Sequence, residues 1–128
     1  MLGRRTVTMA SPANLTVRDF VPMRELKWSP SEKAAARRAY ELALGRELEA
    51  VLREAKERAA RVKTPSELWD LEAWLTKRRR EIDRRYDYRY SVLPLVFATL
   101  LHQGLLSEAE LSGLGRDKLD RIRLGAGL

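Results

Sequence analysis

Six cations crowd one short stretch of this chain: Lys77, Arg78, Arg79 and Arg80, then Arg84 and Arg85, with only Glu81 and Asp83 among them. Guanidinium forks grip carboxylates and phosphates through paired hydrogen bonds, so such a stretch can recognise an acidic partner. Arginines near a helix C-terminus also complement the helix dipole, and this plainer role covers some of them. Upstream, Trp69 lies about 100° round a helix from Leu68, off the apolar stripe, where an indole is costly to leave in water. Two readings stay open for it: burial under another segment or at a seam between two copies, and contact with a partner. Trp74, beside Leu71 and Leu75, reads as core.

Catalytic chemistry finds no comparable foothold. There is one histidine, His102, and no cysteine, so a thiolate metal site, a disulfide and a cysteine nucleophile are excluded and no histidine pair can form. Glu81 and Asp83 sit among arginines, which keep carboxylates ionised and favour salt links over acid catalysis. The glycines are scattered singly, without a phosphate-cradling loop. The chain is expected not to be an enzyme, and no cofactor or metal is expected. Nucleic acid is not the expected partner either, because the cations are spread round the helix, acidic residues interrupt them, and no groove-binding motif accompanies them.

At 128 residues the chain has the length of one domain, and its net charge of +7 favours acidic partners. A content of 34% charged residues of both signs also describes solvated helices, so charge alone decides nothing. The longest apolar run, Val92 to Leu101, is about half of what a bilayer span needs and reads as a core helix, so no membrane anchor is expected. The opening MLGRRTVTMA has two arginines but no apolar core of a signal peptide, and the absence of cysteine suits a reducing compartment; a cytoplasmic location is expected.

Three helix starts punctuate the sequence. Ser29-Pro30-Ser31-Glu32 and Thr64-Pro65-Ser66-Glu67 each place a hydroxyl at the N-cap, proline at the first helical position and a carboxylate at the third, and Ser107-Glu108-Ala109-Glu110 is a weaker copy. Together with apolar periodicity they predict an all-α fold. The first helix is predicted from Pro30 to about Val62, with Tyr40, Leu44, Leu48, Val51 and Ala55 on one stripe and Glu49–Arg53 and Glu54–Arg58 pairs beside it. A stripe this long exceeds what a small domain can cover, which predicts a homodimer; the competing arrangement is an antiparallel pair with the next helix of the same chain. The second helix is predicted from Pro65 to about Tyr88, burying Leu68, Leu71, Leu75, Ile82 and Tyr86. A third, from Val92 to Gln103, is apolar nearly all round, tolerates Pro94 in its first turn and closes at Gly104. Short helices around Glu108–Leu114 and Asp117–Leu124 complete a compact head. Residues 1–27 show no such period and read as a flexible or loosely docked extension, with residues 28–128 as the helical domain. Methionines at positions 9 and 23 leave the translation start open.

Trp28-Ser29, Arg46-Glu47-Leu48, Leu68-Trp69 followed by Leu71, Leu75 and Arg79, then Glu81-Ile82-Asp83, Tyr86-Asp87, Ser91-Val92, Val96-Phe97-Ala98, Leu100-Leu101, Gly104-Leu105, Glu110-Leu111 and Asp117-Lys118 carry a resemblance. In order and spacing, and without gaps from Trp28 almost to the C-terminus, they resemble the fluorescence recovery protein family. That resemblance implies a non-enzymatic regulator of photoprotection. It would bind the light-activated orange carotenoid protein, speed its return to the dark orange form and promote its release from the phycobilisome. It also implies long antiparallel helices forming a dimeric stalk with a compact head, and a capacity for higher oligomers.

The resemblance further implies a partner-binding face. Trp69 and Arg79 match the family residues there, the indole for apolar contact and the guanidinium for an acidic group, and Arg121 keeps a positive charge where relatives have lysine. Glu72 and Ala73 stand where relatives have histidine and aspartate, and Leu95 replaces an aromatic. These departures rearrange the charge of the face, and mismatched interface charges cost several kcal/mol. They leave room for a second reading, a diverged dimeric helical adaptor that binds another protein.

Overall fold

The computed structural model describes residues 21–128, and all its regular structure is helical: α1 (Pro30–Ala60), α2 (Pro65–Arg85), α3 (Leu93–His102) and α4 (Arg116–Ala126), with 3₁₀ turns at Met23–Glu25 and Ala109–Leu111. Residues 1–20, most of the expected extension, lie outside the described residues.

The predicted starts close as hydrogen-bonded caps. Ser29 Oγ accepts from Glu32 N at 3.1 Å while Glu32 Oε1 accepts from Ser29 N at 2.8 Å. At α2, Thr64 Oγ1 accepts from Glu67 N at 3.2 Å, but the Glu67 carboxylate reaches one residue further back, to Lys63 N at 2.7 Å. The third copy makes both reciprocal bonds between Ser107 and Glu110, at 3.0 and 3.3 Å, yet only a 3₁₀ turn follows instead of the expected short α-helix.

The head packs α3 against α4 and both against the first half of α1. Its centre is Phe97, fully buried with Leu93, Leu100, Leu111 and Ile122, and α1 meets it with small residues, Ala35, Ala36, Ala39 and Ala43. Alanines at these positions let the elements approach closely without voids. The α3–α4 crossing is also close, because a Cβ at Gly125 would stand 2.9 Å from the Ala98 Cβ. Gly104 follows α3 at φ 76°, with its N–H bonded to Leu101 O and that of Leu105 to Leu100 O, the paired bonds of a left-handed helix stop.

Two features differ from expectation. α2 stops at Arg85, three residues short of Tyr88, and the chain runs on extended so that Tyr86, Tyr88 and Tyr90, two apart, turn to one side. Tyr40 of α1 receives Tyr86 and Tyr88 edge-on, at centroid distances of 5.4 and 4.8 Å, Arg37 caps Tyr88 at 3.8 Å, and Tyr90 meets Trp28 at 5.2 Å. Asp87 and Arg89, on the intervening positions, pair with each other at 2.6 Å. An aromatic strap over α1 thus buries more ring surface than another turn of helix would.

The other difference concerns the apolar stripes of α1 and α2. The two helices do form an intramolecular pair, but within one chain only Ile82 of the α2 stripe is buried; Leu71 is half-buried, and Leu68 and Leu75 remain exposed together with Leu42, Leu48 and Leu52 of α1. Trp74 is also not core: it is half-buried, with the Arg58 guanidinium 4.4 Å over its ring. Arg58 is at the same time paired with Glu54 at 2.8 Å, as expected, whereas no Glu49–Arg53 pair forms.

What joins α1, α2 and the head is a polar cluster. Glu47, the one charged residue on the buried face of α1, is only 6% exposed. Its carboxylate accepts from both Arg85 Nη atoms, one at 2.9 Å, and from the Tyr86 hydroxyl at 3.0 Å, while Arg78 approaches to 3.6 Å. Arg85 also reaches Gln103 just beyond α3, at 3.0 Å, and Arg78 binds Glu81 at 3.0 Å, holding that carboxyl below its ordinary range. On the opposite flank Arg46 clasps Glu110 with both nitrogens, pulling the Glu110 carboxyl down to about 2. Near the N-terminus of α1, Glu32 accepts from Gly115 N at 2.6 Å and pairs with the buried Lys118 at 3.1 Å. Burial raises the Glu32 pKa, but the Ser29 N–H, Lys118 and the Gly115 N–H together bring it below its ordinary value.

These shifts define a stability window in pH. Glu32 and Glu110 titrate lower folded than unfolded, so their contribution is complete above the ordinary value of 4.5 and is lost as pH falls below it, for Glu110 towards about 2. Tyr40 and Tyr88 have the opposite sense: burial raises both, Tyr88 to about 12, so the neutral phenols stabilise the fold below their ordinary value of 10.0 and cease to do so as pH rises beyond it. Thermal unfolding midpoints are expected to form a plateau between these limits and fall on both sides, with Glu110→Gln flattening the acid limb.

Candidate partner-binding surface

α2 divides into two faces. The side carrying Arg78, Ile82 and Arg85 is held against α1, the opposite side carries Trp69, Ala73 and Arg80, and Arg84 lies on the flank between them; these last four are exposed. Trp69 is 66% exposed, so among the described residues nothing covers the indole. Glu72 and Ala73 are exposed beside it, and the Glu72 carboxylate accepts from the Thr76 hydroxyl at 2.9 Å. Arg79 extends into solvent with its side chain 85% exposed and its nearest carboxylate, Asp83, at 3.9 Å. These four positions therefore share one helix, with Arg79 beyond the other three.

Leu95 and Arg121 belong instead to the head. Leu95 projects outward from α3, half exposed, and lies 4.0 Å from where a Cβ at Gly125 would stand, so it covers the α3–α4 junction. Arg121 on α4 is half-buried and donates to the Val21 carbonyl. Lys118, one turn earlier, donates to the Lys27 carbonyl. The segment before Trp28 thus docks along α4 over the residues that are described.

The cationic stretch resolves into two kinds of residue. Arg78 and Arg85 are structural, committed to Glu47, which was not singled out from sequence; the available signal was a lone acid falling in register after Ala36, Ala39 and Ala43. Lys77, Arg80 and Arg84 have no carboxylate within 4.0 Å among the described residues. A cleft of about 590 Å³ lies where α1, α2 and the end of α3 meet, lined by Glu47, Arg78, Glu81, Arg84, Arg85 and Gln103, and the ion pairs already described occupy most of its polar groups. Among the described residues no group of three or more metal-ligating side chains converges, and no helix is long and apolar enough to cross a membrane.

The fold is shared with known proteins. Residues 28–125 match the family model of the photoprotection regulator fluorescence recovery protein. The fluorescence recovery protein of Synechocystis sp. PCC 6803 is 38% identical over 99 residues, covering 77% of this chain and 91% of that protein. The structure of the Fremyella diplosiphon fluorescence recovery protein superposes with a TM-score of 0.74 at 39% identity, covering 80% of this chain and 100% of that one. That of the Synechocystis protein gives a TM-score of 0.74 at 37% identity with the same coverage. The chain belongs to the fluorescence recovery protein family of photoprotection regulators.

Proposed function

We propose that this chain is a non-enzymatic cytoplasmic regulator that binds the photoactivated orange carotenoid protein, accelerates its return to the dark orange state and promotes its release from the phycobilisome. Family membership supports the regulatory role, and the observation that carries the binding face is Trp69, a tryptophan left 66% exposed on the side of α2 turned away from α1. Such a regulator acts through differential affinity, holding states along the return path more tightly than the active form. On this reading Trp69 enters an apolar recess, Arg79 and Arg121 meet acidic groups, Leu95 adds apolar contact from the head, and Glu72 and Ala73 tune the charge between them.

The working unit in this proposal is residues 28–128 as a homodimer, able to associate further, with α1 and α2 as the stalk. Leu48, Leu52, Leu68 and Leu75, exposed in the single chain, support it, since a second copy burying them gains roughly 1.5–3 kcal/mol for each fully covered leucine. Residues 1–27 are then an extension to that unit.

The test is the dark relaxation rate of purified orange carotenoid protein after illumination, with and without this chain. Acceleration is expected, and Trp69→Ala is expected to reduce apparent affinity by about 30-fold, as for a central aromatic anchor. An unchanged relaxation rate together with no complex on gel filtration sinks the proposal. Glu72, Ala73 and Leu95 are the positions that favour the diverged-adaptor reading; in that case Ala73→Asp restores no binding and an orange carotenoid protein is not the target.

A further inference from the structure

We infer that Arg80, rather than the fold, is served by the free edge of α2: it is a second anchor, a carboxylate receptor in register with Trp69 on the partner-binding face. This rests on the reading of α2's outer side as that face.

Trp69, Ala73, Thr76 and Arg80 recur at spacings of four, three and four, which is one line along a helix. Eleven residues separate Trp69 from Arg80, a rotation of only about 20° and a rise of about 16 Å. Arg79 lies about 80° round from Trp69 in the other sense. The cation aligned with the indole is therefore Arg80.

The chain gives Arg80 no internal task. Arg78 and Arg85 hold Glu47, and Arg79 has Asp83 at 3.9 Å, but Arg80 is exposed with no carboxylate within 4.0 Å among the described residues. Its neighbours one turn away are of mixed sign: Lys77 at i−3 and Arg84 at i+4 are like charges that weaken a helix, and Asp83 at i+3 lies 3.9 Å from Arg79 instead. α2 pairs Arg78 with Glu81 and Arg79 with Asp83, and leaves Arg80 out of these pairs. The helix dipole explains Arg84, which lies in the last turn of α2, and not Arg80, which lies beyond that turn where the dipole's effect has faded. An unpaired guanidinium aligned with an exposed indole fits a protein surface with an apolar recess and, about 16 Å away, a carboxylate that accepts both prongs of the fork. The surplus of Lys77, Arg79, Arg80 and Arg84 over Asp83 along this half of the face favours an acidic partner surface.

The experiment uses the full chain and titrates Arg80→Glu, Arg80→Ala and Trp69→Ala against the photoactivated carotenoid protein at several salt concentrations. Arg80→Glu is expected to weaken binding by at least about tenfold and Arg80→Ala by less, with the salt dependence of association flattened in both, since a steering charge is lost or reversed. Helix content and oligomeric state are expected to stay unchanged, because no ion pair among the described residues is removed. If Trp69→Ala weakens binding while Arg80→Glu binds like the parent chain, this inference falls and the face itself stands. If neither variant changes binding, the face falls as well. A change of oligomeric state in Arg80→Glu without loss of binding overturns the inference too, placing Arg80 between copies of the chain.

Discussion

Replacing Arg85 with methionine is expected to lower the unfolding free energy by about 3 kcal/mol, because the buried Glu47 carboxylate then loses its principal cation and keeps only the more distant Arg78. In the intact chain that carboxylate is 6% exposed and receives both Arg85 nitrogens and the Tyr86 hydroxyl. Arg78, at 3.6 Å and shared with Glu81, offsets part of the loss and keeps the figure at the lower end of the usual range for a broken buried pair. The double variant Glu47→Met/Arg85→Met removes both charges at similar volume and is expected to recover most of the stability. Urea unfolding of the singles and the double at one fixed protomer concentration measures this, and the coupling is the non-additive remainder. Additive losses would mean that the pair does not act as a unit. The consequence reaches function, since Arg85 also holds Gln103: the cluster fixes how α2 and its outer face stand relative to the head.

The contrast between local and distant determinants runs through the whole molecule. The starts of α1 and α2, the apolar α3 and the stop at Gly104 were legible because each is specified within a few residues, by a hydroxyl, a proline, a carboxylate or a glycine. The end of α2 was not. The residues Tyr86-Asp87-Tyr88 are weak helix formers, and what draws the alternate tyrosines across α1 is Tyr40 and Arg37 on that helix and Trp28 just before it. The alternation Tyr86-Asp87-Tyr88-Arg89-Tyr90 was visible in the sequence and reads as an extended period once the partner rings are known.

The candidate face shows the same division. The phase of Trp69 against Leu68 placed the indole off the packed side of α2, and the structure leaves it exposed. The cations could not be sorted that way, because Arg78 and Arg85 are defined by Glu47, some thirty residues earlier, and Arg121 by the backbone of Val21. Leu68 and Leu75 carry the right period for burial but lack a covering layer within one chain, which is the physical content of the homodimer proposal.

Phe97→Ala is expected to cost about 3–5 kcal/mol, the range for removing a fully enclosed ring and leaving a cavity. Phe97 has no exposed surface, and its neighbours Leu93, Leu100, Leu111 and Ile122 are themselves enclosed, so collapse around the gap is restricted. The loss concentrates in the head, because α1 and α2 are joined to each other through Glu47 and the stacking of Arg58 on Trp74 rather than through Phe97. Amide exchange is expected to accelerate first in α3 and α4 and only later in α2. That separation makes the variant a probe of the binding face as well as of the core, because Leu95 and Arg121 ride on α3 and α4 whereas Trp69, Arg79 and Arg80 ride on α2. Partner binding that survives while the head is loosened would locate the essential contacts on α2. A loss as large as that of Trp69→Ala would show that the head must be rigid for the two parts of the face to act together.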